Sequence, residues 1–427
     1  MRIVQLTPGT GSYYCGPCMR DNALVTELKR RGHDAVMAPL YLPPVLDESP
    51  MSGGEPLFYG GVNVYLQQKS RLFRRTPRWV DRMLDSPKVL QIAARRAAST
   101  NARSLGDLTV STLEGEDGYQ SKELERLVAW LSDVEPDVVC LSNALLVGLA
   151  RRIKETTGAA VVCTLQGEDV FLDALPDEDR ETAWRIVAER TKDVDAFIAV
   201  SHYYAGVMRE RAGLGSDRLH IVHNGINVDN YRSAVQFPDP PTIGFLARLC
   251  PEKGLDRLVD MYINLRRDDC FDNVKLCVAG SLIATDESFV ACQKTRIEAA
   301  GLTDDVIISP NLGREEKIEF LKGLSVLTVP AMYGEAFGLY VIEAMAAGVP
   351  VVQPNSGAFP ELIMATGGGV LCDMENPESL VAAIRRLLMD PDEARAMGER
   401  GRLAVLKNFT VDRMTDDVMT VFEGVAS

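Results

Sequence analysis

Two carboxylates flank a glycine-rich turn in the last third of the chain. The apolar run 325–329 indicates a buried strand that ends at Pro330, and Glu335 follows in the loop. From Leu339 onward, apolar residues recur at helical spacing. A turn of this kind collects unpaired N–H groups at a point where the helix dipole favours an anion. The sequence therefore predicts an anion-binding turn between a strand and a helix.

The second carboxylate, Glu343, lies in the predicted helix, eight positions after Glu335. Helical side chains lean toward the helix N-terminus, so we expect Glu343 to point back to the cleft that Glu335 overlooks. The residues around Glu343 are mostly apolar, and a carboxylate is rarely buried there without a partner. The alternative is that Glu335 is a solvated loop residue and Glu343 a helix-surface residue.

The segment 334–352 resembles the donor-binding signature of the retaining glycosyltransferases of family 4, which have the GT-B fold. The family pattern is E-x7-E inside G-E-x-F-G-L…E-A-M-A-x-G-x-P-V-V, and this chain reads GEAFGL at 334–339, EAMAAG at 343–348 and PVV at 350–352. Glu361 matches the P-E step that follows in the family.

The resemblance implies a role for each residue of this segment. Glu335 would hydrogen-bond sugar hydroxyls, and Glu343 would hold the ribose. The backbone N–H groups around Phe337, Gly338 and Leu339 would stabilise the leaving phosphate.

Two cations, Arg248 and Lys253, lie in the segment 247–255, which resembles the family's G-R-L-x-x-E-K-G-x-x-x-L. One follows a predicted strand and the other begins a predicted helix. A guanidinium and an ammonium so placed can converge on a diphosphate. Taken singly, each would be an ordinary surface cation.

Two further turns extend the predicted nucleotide site. Gly280 ends the strand that starts at Lys275, and Pro310 and Asn311 follow the next strand. In similar enzymes the backbone of this last turn reads the nucleotide base.

The largest departure from the family in the first half of the chain is at residue 166. Residues 164–169 read TLQGED, where the family shows T-x-H-G-x-D with the His contacting the transferred sugar. Gln166 occupies the His position and can hydrogen-bond a hydroxyl, but it cannot titrate near neutral pH. Asp169 matches the family's acid. The departure leaves open a non-catalytic sensor of sugar nucleotides.

Cys15-Gly16-Pro17-Cys18 presents a second kind of chemistry. CGPC is the active-site sequence of thioredoxin-like oxidoreductases, in which a thiolate is activated at a helix N-terminus. Family 4 enzymes carry Gly-Gly about fifteen residues before R-G-H, and Arg31-Gly32-His33 stands at that spacing here. We interpret Gly16 as the point where the backbone approaches the donor, with a thiol oxidoreductase as the alternative.

Composition narrows the class of partner. The net charge of −14 over 427 residues argues against nucleic-acid binding through a basic surface. Nine cysteines, an odd number, are typical of reduced thiols in the cytoplasm. The chain starts with a predicted strand rather than a signal peptide, and no apolar run reaches the length of a membrane span.

Basic residues dominate the segment 69–103 within this acidic chain. This pattern suggests a patch for an anionic acceptor or for peripheral contact with an inner membrane surface. The alternative is a solvated helical face.

Strands alternate with helices in both halves, which predicts the α/β class with two doubly wound, Rossmann-like parallel sheets. We expect an acceptor-binding domain at 1–237, a nucleotide-sugar-binding domain at 238–408 and a final helical segment at 409–427. The GT-B resemblance implies that the domains face a cleft and that the last helix crosses back to the first domain.

The implied reaction moves a sugar from a UDP-, GDP- or ADP-sugar to a hydroxyl of an anionic or lipid-linked acceptor, with retention. Arg248, Lys253, Glu335 and Gln166 are the expected catalytic residues, and no metal or other cofactor is expected. A sugar phosphorylase or a nucleotide-sugar epimerase of the same fold is the alternative.

Overall fold

The computed structural model describes residues 1–9, 14–48, 58–59, 64, 66–68, 105–231 and 237–426. The basic segment 69–103, with its predicted membrane or acceptor contact, lies outside the described residues. The chain divides into one compact unit of Met1–His223 with Met414–Ser427, and a second of Asn224–Arg413. The sequence places the corresponding boundaries later at the first junction, after 237, and earlier at the second, after 408.

The first unit contains a six-stranded parallel sheet in the order β2-β1-β3-β4-β5-β6. Its strands are β1 Arg2–Thr7, β2 Asp34–Pro39, β3 Val138–Leu141, β4 Ala160–Leu165, β5 Ala196–Ala199 and β6 Leu219–Ile221. Its helices are α1 Gly16–Arg30, α2 Gly106–Leu113, α3 Ser121–Val134, α4 Ala150–Thr157, α5 Asp169–Asp173, α6 Asp177–Arg190 and α7 His202–Ala212.

The second unit contains another six-stranded parallel sheet, in the order β12-β11-β10-β7-β8-β9. Its strands are β7 Thr242–Leu246, β8 Lys275–Gly280, β9 Val306–Pro310, β10 Val326–Thr328, β11 Val351–Pro354 and β12 Gly369–Cys372. The helices that follow are α8 Leu255–Leu265, α9 Glu287–Ala299, α10 Arg314–Lys322, α11 Leu339–Ala346, α12 Phe359–Thr366, α13 Pro377–Met389, α14 Pro391–Asn408 and α15 Val411–Ala426.

The central strands are apolar because helices cover both faces of each sheet. Every residue of β3, β5, β7, β10 and β11 is buried. The predicted α/β class with two parallel sheets is confirmed. Helix α1 begins at Gly16, and Pro17 lies in its first turn, where a missing N–H costs nothing.

Each sheet has one point where the strand order reverses. In the first unit it lies between β1 and β3, and in the second it lies between β7 and β10. The loops at the carboxyl ends of two such strands diverge to opposite faces of the sheet and leave a crevice, where ligands of parallel α/β sheets bind. The residues after β1, β3, β7 and β10 are therefore those to examine for function.

Candidate functional site

In the second unit, the loops that follow β7 and β10 approach each other closely. The first contains the short 3-10 helix Pro251–Lys253, which ends at Gly254 in the left-handed conformation with φ +73°. A Cβ on Gly254 would lie 2.0 Å from the carbonyl oxygen of Pro330, so a larger residue would push the loops apart. Met332 N–H also donates to the Glu252 carbonyl at 2.9 Å.

Because the two loops lie close together, the side chain of Lys253 contacts that of Glu335. The Lys253 Nζ lies 2.5 Å from Glu335 Oε2, and each side chain is only 15% exposed. Tyr340 O–H donates to the same carboxylate oxygen at 3.0 Å, and the Lys253 Nζ lies 4.9 Å from the centre of the Tyr333 ring. The cation and the carboxylate are therefore fixed to each other across the reversal point of the sheet.

The electrostatics of the pair keep Lys253 charged. Burial lowers the pKa of the Lys253 ammonium, but the attraction of Glu335 and of Tyr333 outweighs it, and the net shift is upward. Burial raises the pKa of the Tyr333 hydroxyl to about 12. At physiological pH the site holds a permanent positive charge next to a neutral phenol.

The N-terminus of α11 follows directly after Glu335. Gly338 precedes it with φ +89°, and a Cβ there would lie 2.9 Å from the Phe359 ring. Phe337 is buried, with its ring centroid 6.2 Å from that of Phe409, so it can offer only backbone groups to a ligand. Leu339 is the first helical residue, as the sequence predicts. The first turn of α11 thus begins beside the Lys253–Glu335 pair, and its N–H groups lack the carbonyl partners four residues earlier that later helical residues have.

Arg248 follows β7 but contacts a different carboxylate. Its guanidinium donates to both oxygens of Asp286, at 2.8 and 3.2 Å. Asp286 is 9% exposed at its side chain, whereas Arg248 is 41% exposed. The sequence predicts that Arg248 and Lys253 converge on one diphosphate, whereas here each cation is bound to a carboxylate of its own. Asp286 was not anticipated, because 38 residues separate it from Arg248.

Glu343 has a cationic partner that the sequence does not reveal. Lys317, on α10, lies with its Nζ 2.6 Å from Glu343 Oε1, and the two side chains are 10% and 12% exposed. This explains how a carboxylate is tolerated among apolar neighbours. Lys317 has no motif to mark it, since it lies among the charged residues of an ordinary amphipathic helix.

The predicted base-reading turns lie side by side. Gly280 pairs with Pro310 in the register of β8 and β9, and Asn311 N–H donates to the Gly280 carbonyl at 2.8 Å. The Asn311 side-chain oxygen accepts from Leu282 N–H at 3.1 Å. Asn311 has φ +58°, a conformation that Asn tolerates better than most residues.

In the first unit, the residues after β4 are built around Glu168 rather than Asp169. Glu168 is 5% exposed and accepts from Ala144 N–H at 2.6 Å, Gln166 N–H at 2.7 Å and Tyr204 O–H at 3.0 Å. Burial raises the pKa of this carboxyl, although the hydrogen bonds oppose the shift. Glu168 therefore fixes the loop that carries the two predicted residues.

Those two residues flank Glu168. The Gln166 amide donates to the Ser142 carbonyl at 2.7 Å, which joins the end of β4 to the end of β3. Asp169 begins α5, and its Oδ1 is buried with no hydrogen-bond partner among the described residues. Burial raises the pKa of Asp169 as well. The sequence motif does not single out Glu168, because its partner Tyr204 lies 36 residues away on α7.

Gly16, the predicted donor contact after β1, is the first residue of α1 and follows Cys15.

Across the described parts of the chain, no group of three or more His, Cys, Asp or Glu side chains could hold a metal ion. The helices described there also include none long and apolar enough to cross a membrane.

Two family models match the chain in adjoining segments. Residues 60–230 match the model of Glycosyltransferase Family 4, and residues 227–404 match Glycosyl transferases group 1. Together they extend over most of both units.

Several of the curated relatives are mannosyltransferases, and others are D-inositol 3-phosphate glycosyltransferases. The phosphatidyl-myo-inositol mannosyltransferase of Mycobacterium leprae is 30% identical over 219 residues, which are 50% of this chain and 55% of that protein. The GDP-mannose-dependent alpha-(1-6)-phosphatidylinositol monomannoside mannosyltransferase of Mycobacterium tuberculosis is 26% identical over 298 residues, 65% of this chain and 72% of that protein.

Solved structures match the whole fold. Sucrose-phosphate synthase from Thermosynechococcus elongatus has a TM-score of 0.73 at 17% identity, and each chain is covered to 99%. HepE from Anabaena, solved with UDP and glucose, has a TM-score of 0.68 at 15% identity, again with 99% of each chain covered. The two sheets, the paired family models and these neighbours agree: the chain belongs to the group 1 glycosyltransferases of family 4 and has the GT-B fold.

Proposed function

We propose that this glycosyltransferase moves a sugar from a nucleotide diphosphate sugar to a hydroxyl acceptor with retention of the anomeric configuration. The observation that carries the proposal is the Lys253–Glu335 pair, which joins the loops after β7 and β10 beside the N-terminus of α11. The pair places a largely buried cation next to the first turn of α11, at the reversal point of the second sheet.

The pair can bind a diphosphate without coming apart. A Lys ammonium has three N–H donors, so Lys253 can keep its bond to Glu335 and still donate to a phosphate oxygen. The first turn of α11 adds N–H groups and the positive end of a helix dipole. Arg248 is exposed enough to contact a second phosphate while Asp286 holds its orientation. Stabilising charge on the departing diphosphate is the main catalytic contribution that these groups make.

The way in which Glu335 is held supports a mechanism without a covalent enzyme intermediate. Lys253 and Tyr340 both bind its Oε2, which leaves the other oxygen to accept from sugar hydroxyls. A carboxylate so engaged is poorly suited to form the covalent intermediate of retaining glycosidases. We propose instead that the acceptor oxygen attacks the face that the diphosphate leaves, and that the departing phosphate oxygen takes the acceptor's proton.

For the donor we propose GDP-mannose, and for the acceptor a hydroxyl of an anionic, lipid-linked sugar or inositol. The support is that the Mycobacterium tuberculosis relative is named as GDP-mannose-dependent and as acting on a phosphatidylinositol mannoside. All nine cysteines are free thiols, which fits a reducing compartment. We propose that the enzyme acts at the cytoplasmic face of a membrane, which it contacts peripherally.

Binding is tested first, by thermal unfolding with GDP, UDP or ADP. A nucleotide at one hundred times its Kd should stabilise the chain by about 2.7 kcal/mol. GDP is expected to give the largest shift, and Lys253→Met should abolish it, whereas Lys294→Met on the exposed face of α9 should not. Equal shifts for wild type and Lys253→Met would remove the diphosphate site from this position.

Transfer is tested next, with GDP-mannose and vesicles that contain phosphatidylinositol. An α-linked product by NMR of the anomeric proton supports retention, and a β-linked product contradicts it. Release of mannose 1-phosphate that requires inorganic phosphate but no nucleotide would identify the phosphorylase alternative. Binding without hydrolysis or transfer over a panel of acceptors would identify a sensor, the hypothesis that Gln166 leaves open.

A further inference from the structure

The Cys15–Cys18 pair lies outside the machinery proposed for glycosyl transfer. Cys15 is the N-cap of α1, with extended backbone at φ −120° and ψ 122°, and Cys18 is in the first turn of the helix. Met19 N–H donates to the Cys15 carbonyl at 3.0 Å, which closes the first helical turn between the cysteines. Residues three apart in an α-helix have Cα atoms about 5 Å apart, within the separation that a disulfide spans.

Neighbouring contacts fix both thiols. Tyr14, next to Cys15, forms a parallel bridge with Val45 in the loop after β2. Cys18 is fully buried, and Thr7 O–H, at the end of β1, donates to its Sγ at 3.8 Å. Cys15 remains partly exposed. The pair thus joins one partly exposed residue, Cys15, to one fully buried residue, Cys18.

The two thiols interact with each other. A hydrogen bond from the Cys18 side chain lowers the pKa of Cys15, against the effect of burial, and the same bond raises the pKa of Cys18. The other buried cysteines behave differently. Burial raises the pKa of Cys140 and Cys372 to about 11 and that of Cys250 to about 12. A helix N-terminus further favours the thiolate of Cys15.

A buried carboxyl completes the cluster. Asp21 lies three positions after Cys18, on the same face of α1, and is fully buried. Arg20 donates to its Oδ1 at 3.2 Å, whereas its Oδ2 has no hydrogen-bond partner among the described residues. The negative charge of Asp21 raises the pKa of both the Cys15 and the Cys18 thiol. An unpartnered, buried carboxylate oxygen can accept the proton that Cys18 must lose to become a nucleophile.

We propose that Cys15 and Cys18 form a thiol–disulfide exchange site that reacts with a low-molecular-weight disulfide. The Cys15 thiolate attacks one sulfur of that disulfide and expels the other as a thiolate, which leaves a mixed disulfide on Cys15. Cys18 then gives its proton to Asp21 and attacks the Cys15 sulfur, the second small thiolate leaves, and Asp21 returns the proton to it. The first small thiolate takes up, through solvent, the proton that Cys15 lost when it became a thiolate. In sum, two protein thiols and one disulfide give one protein disulfide and two small thiols.

The new bond would close the first turn of α1 around Gly16, beside the reversal point of the first sheet. The thiol–disulfide exchange does not rest on the proposed glycosyl transfer.

The unaltered protein provides the first test. Folded, reduced chain is treated at pH 7 with a limiting amount of iodoacetamide, and each cysteine is quantified by mass spectrometry. Cys15 should react on the order of tenfold faster than the exposed Cys292, because only the thiolate reacts. Equal or slower labelling of Cys15 overturns the proposal.

Glutathione disulfide provides the second test. Wild type should lose two hydrogen masses on the peptide that contains both cysteines, and Cys18→Ser should stop as a glutathione adduct on Cys15. Cys15→Ser should show neither product, and the control Cys292→Ser should behave as wild type. Asp21→Asn should slow the second step at least tenfold. The first step should not slow, because the Asp21 charge raises the pKa of Cys15 and its removal favours the Cys15 thiolate. An adduct that forms only after the protein is unfolded, or no adduct in folded Cys18→Ser, overturns the proposal.

Discussion

The two units share a six-stranded parallel sheet but carry opposite chemistry at the carboxyl ends of their strands. In the second unit, Lys253, Arg248 and Lys317 each bind a largely buried carboxylate. In the first unit, the loops after β3 and β4 hold Glu168 through hydrogen bonds from backbone N–H groups and from the Tyr204 phenol. The Gln166 amide lies next to it in the same loop. One sheet end therefore offers cations to an anion, and the other offers uncharged donors and acceptors to hydroxyl groups.

The comparison indicates that the shared sheet topology sets where a ligand binds, whereas the side chains of the loops determine which ligand binds there. Both sheets have their reversal point next to the first strand of the unit. In the second unit that point holds the partly exposed Lys253–Glu335 pair, whereas the Arg20–Asp21 pair beside the first unit's reversal point is fully buried. If the comparison is right, changes in the second unit alter nucleotide binding and changes in the first do not.

The largest expected effect is at Lys253. Lys253→Met removes a phosphate ligand and leaves Glu335 buried without its cation, so transfer should fall by about 10²–10³-fold, or ~3–4 kcal/mol of transition-state stabilisation. Steady-state rates with GDP-mannose measure it, with Lys294→Met as the matched control. A loss below tenfold would break the assignment of the second unit as the anion-binding one.

Glu168→Gln should have the next largest effect, on stability. An amide accepts through one oxygen only, so at least one of the three donors around Glu168 loses its partner, at a cost of about 2 kcal/mol. Urea unfolding measures the change, with the exposed Glu178→Gln as control. Nucleotide-induced stabilisation should stay unaltered, which separates a structural role of Glu168 from one in donor binding.

Gln166→Ala tests whether the two sheet ends have different functions. Loss of the amide should lower kcat/KM about tenfold, the equivalent of ~1.4 kcal/mol, because a sugar hydroxyl loses one partner. The thermal shift with GDP should match that of wild type, since the diphosphate site lies in the other unit. Equal losses of nucleotide affinity and of rate would show that the two sheet ends are not distinct in function.

The smallest effect concerns a charge cluster away from the strand ends. Hydrogen bonds from Arg30, and secondly Arg31, lower the pKa of Glu27 below its usual value of 4.5. A lowered carboxyl pKa adds stability above the unfolded-state pKa, and the gain disappears as the pH falls through the folded-state pKa. Glu27→Gln should therefore cost about 0.5–1 kcal/mol at pH 7 and nothing near pH 2, by thermal unfolding at both pH values. Activity at pH 7 should not change.

The sequence predicts the strands well because each is a short apolar run bounded by turn residues. It places α11 at its observed first residue, since Leu339 follows a glycine. It also selects Lys253 and Glu335, which lie in dense motifs on either side of the reversal point.

The partners of these residues could not be predicted. Asp286, Lys317 and Tyr340 belong to no motif, and two of them bind across more than 25 residues of chain, at separations of 38 and 26. Such pairings are fixed by how helices pack on the sheet, which spacing along the chain does not encode. For the same reason the sequence does not distinguish Glu168 from its neighbour Asp169, although the buried hydrogen bonds of Glu168 set it apart at once.

Lys253 and Glu335 are 82 residues apart along the chain. During synthesis, a ribosome must therefore translate three more strands and their helices before the lysine meets its carboxylate. No nascent fragment that stops short of residue 335 can hold a sugar nucleotide in the way described. Ligand-dependent protection of growing chains from a protease would thus time the moment at which the second unit acquires its native sheet.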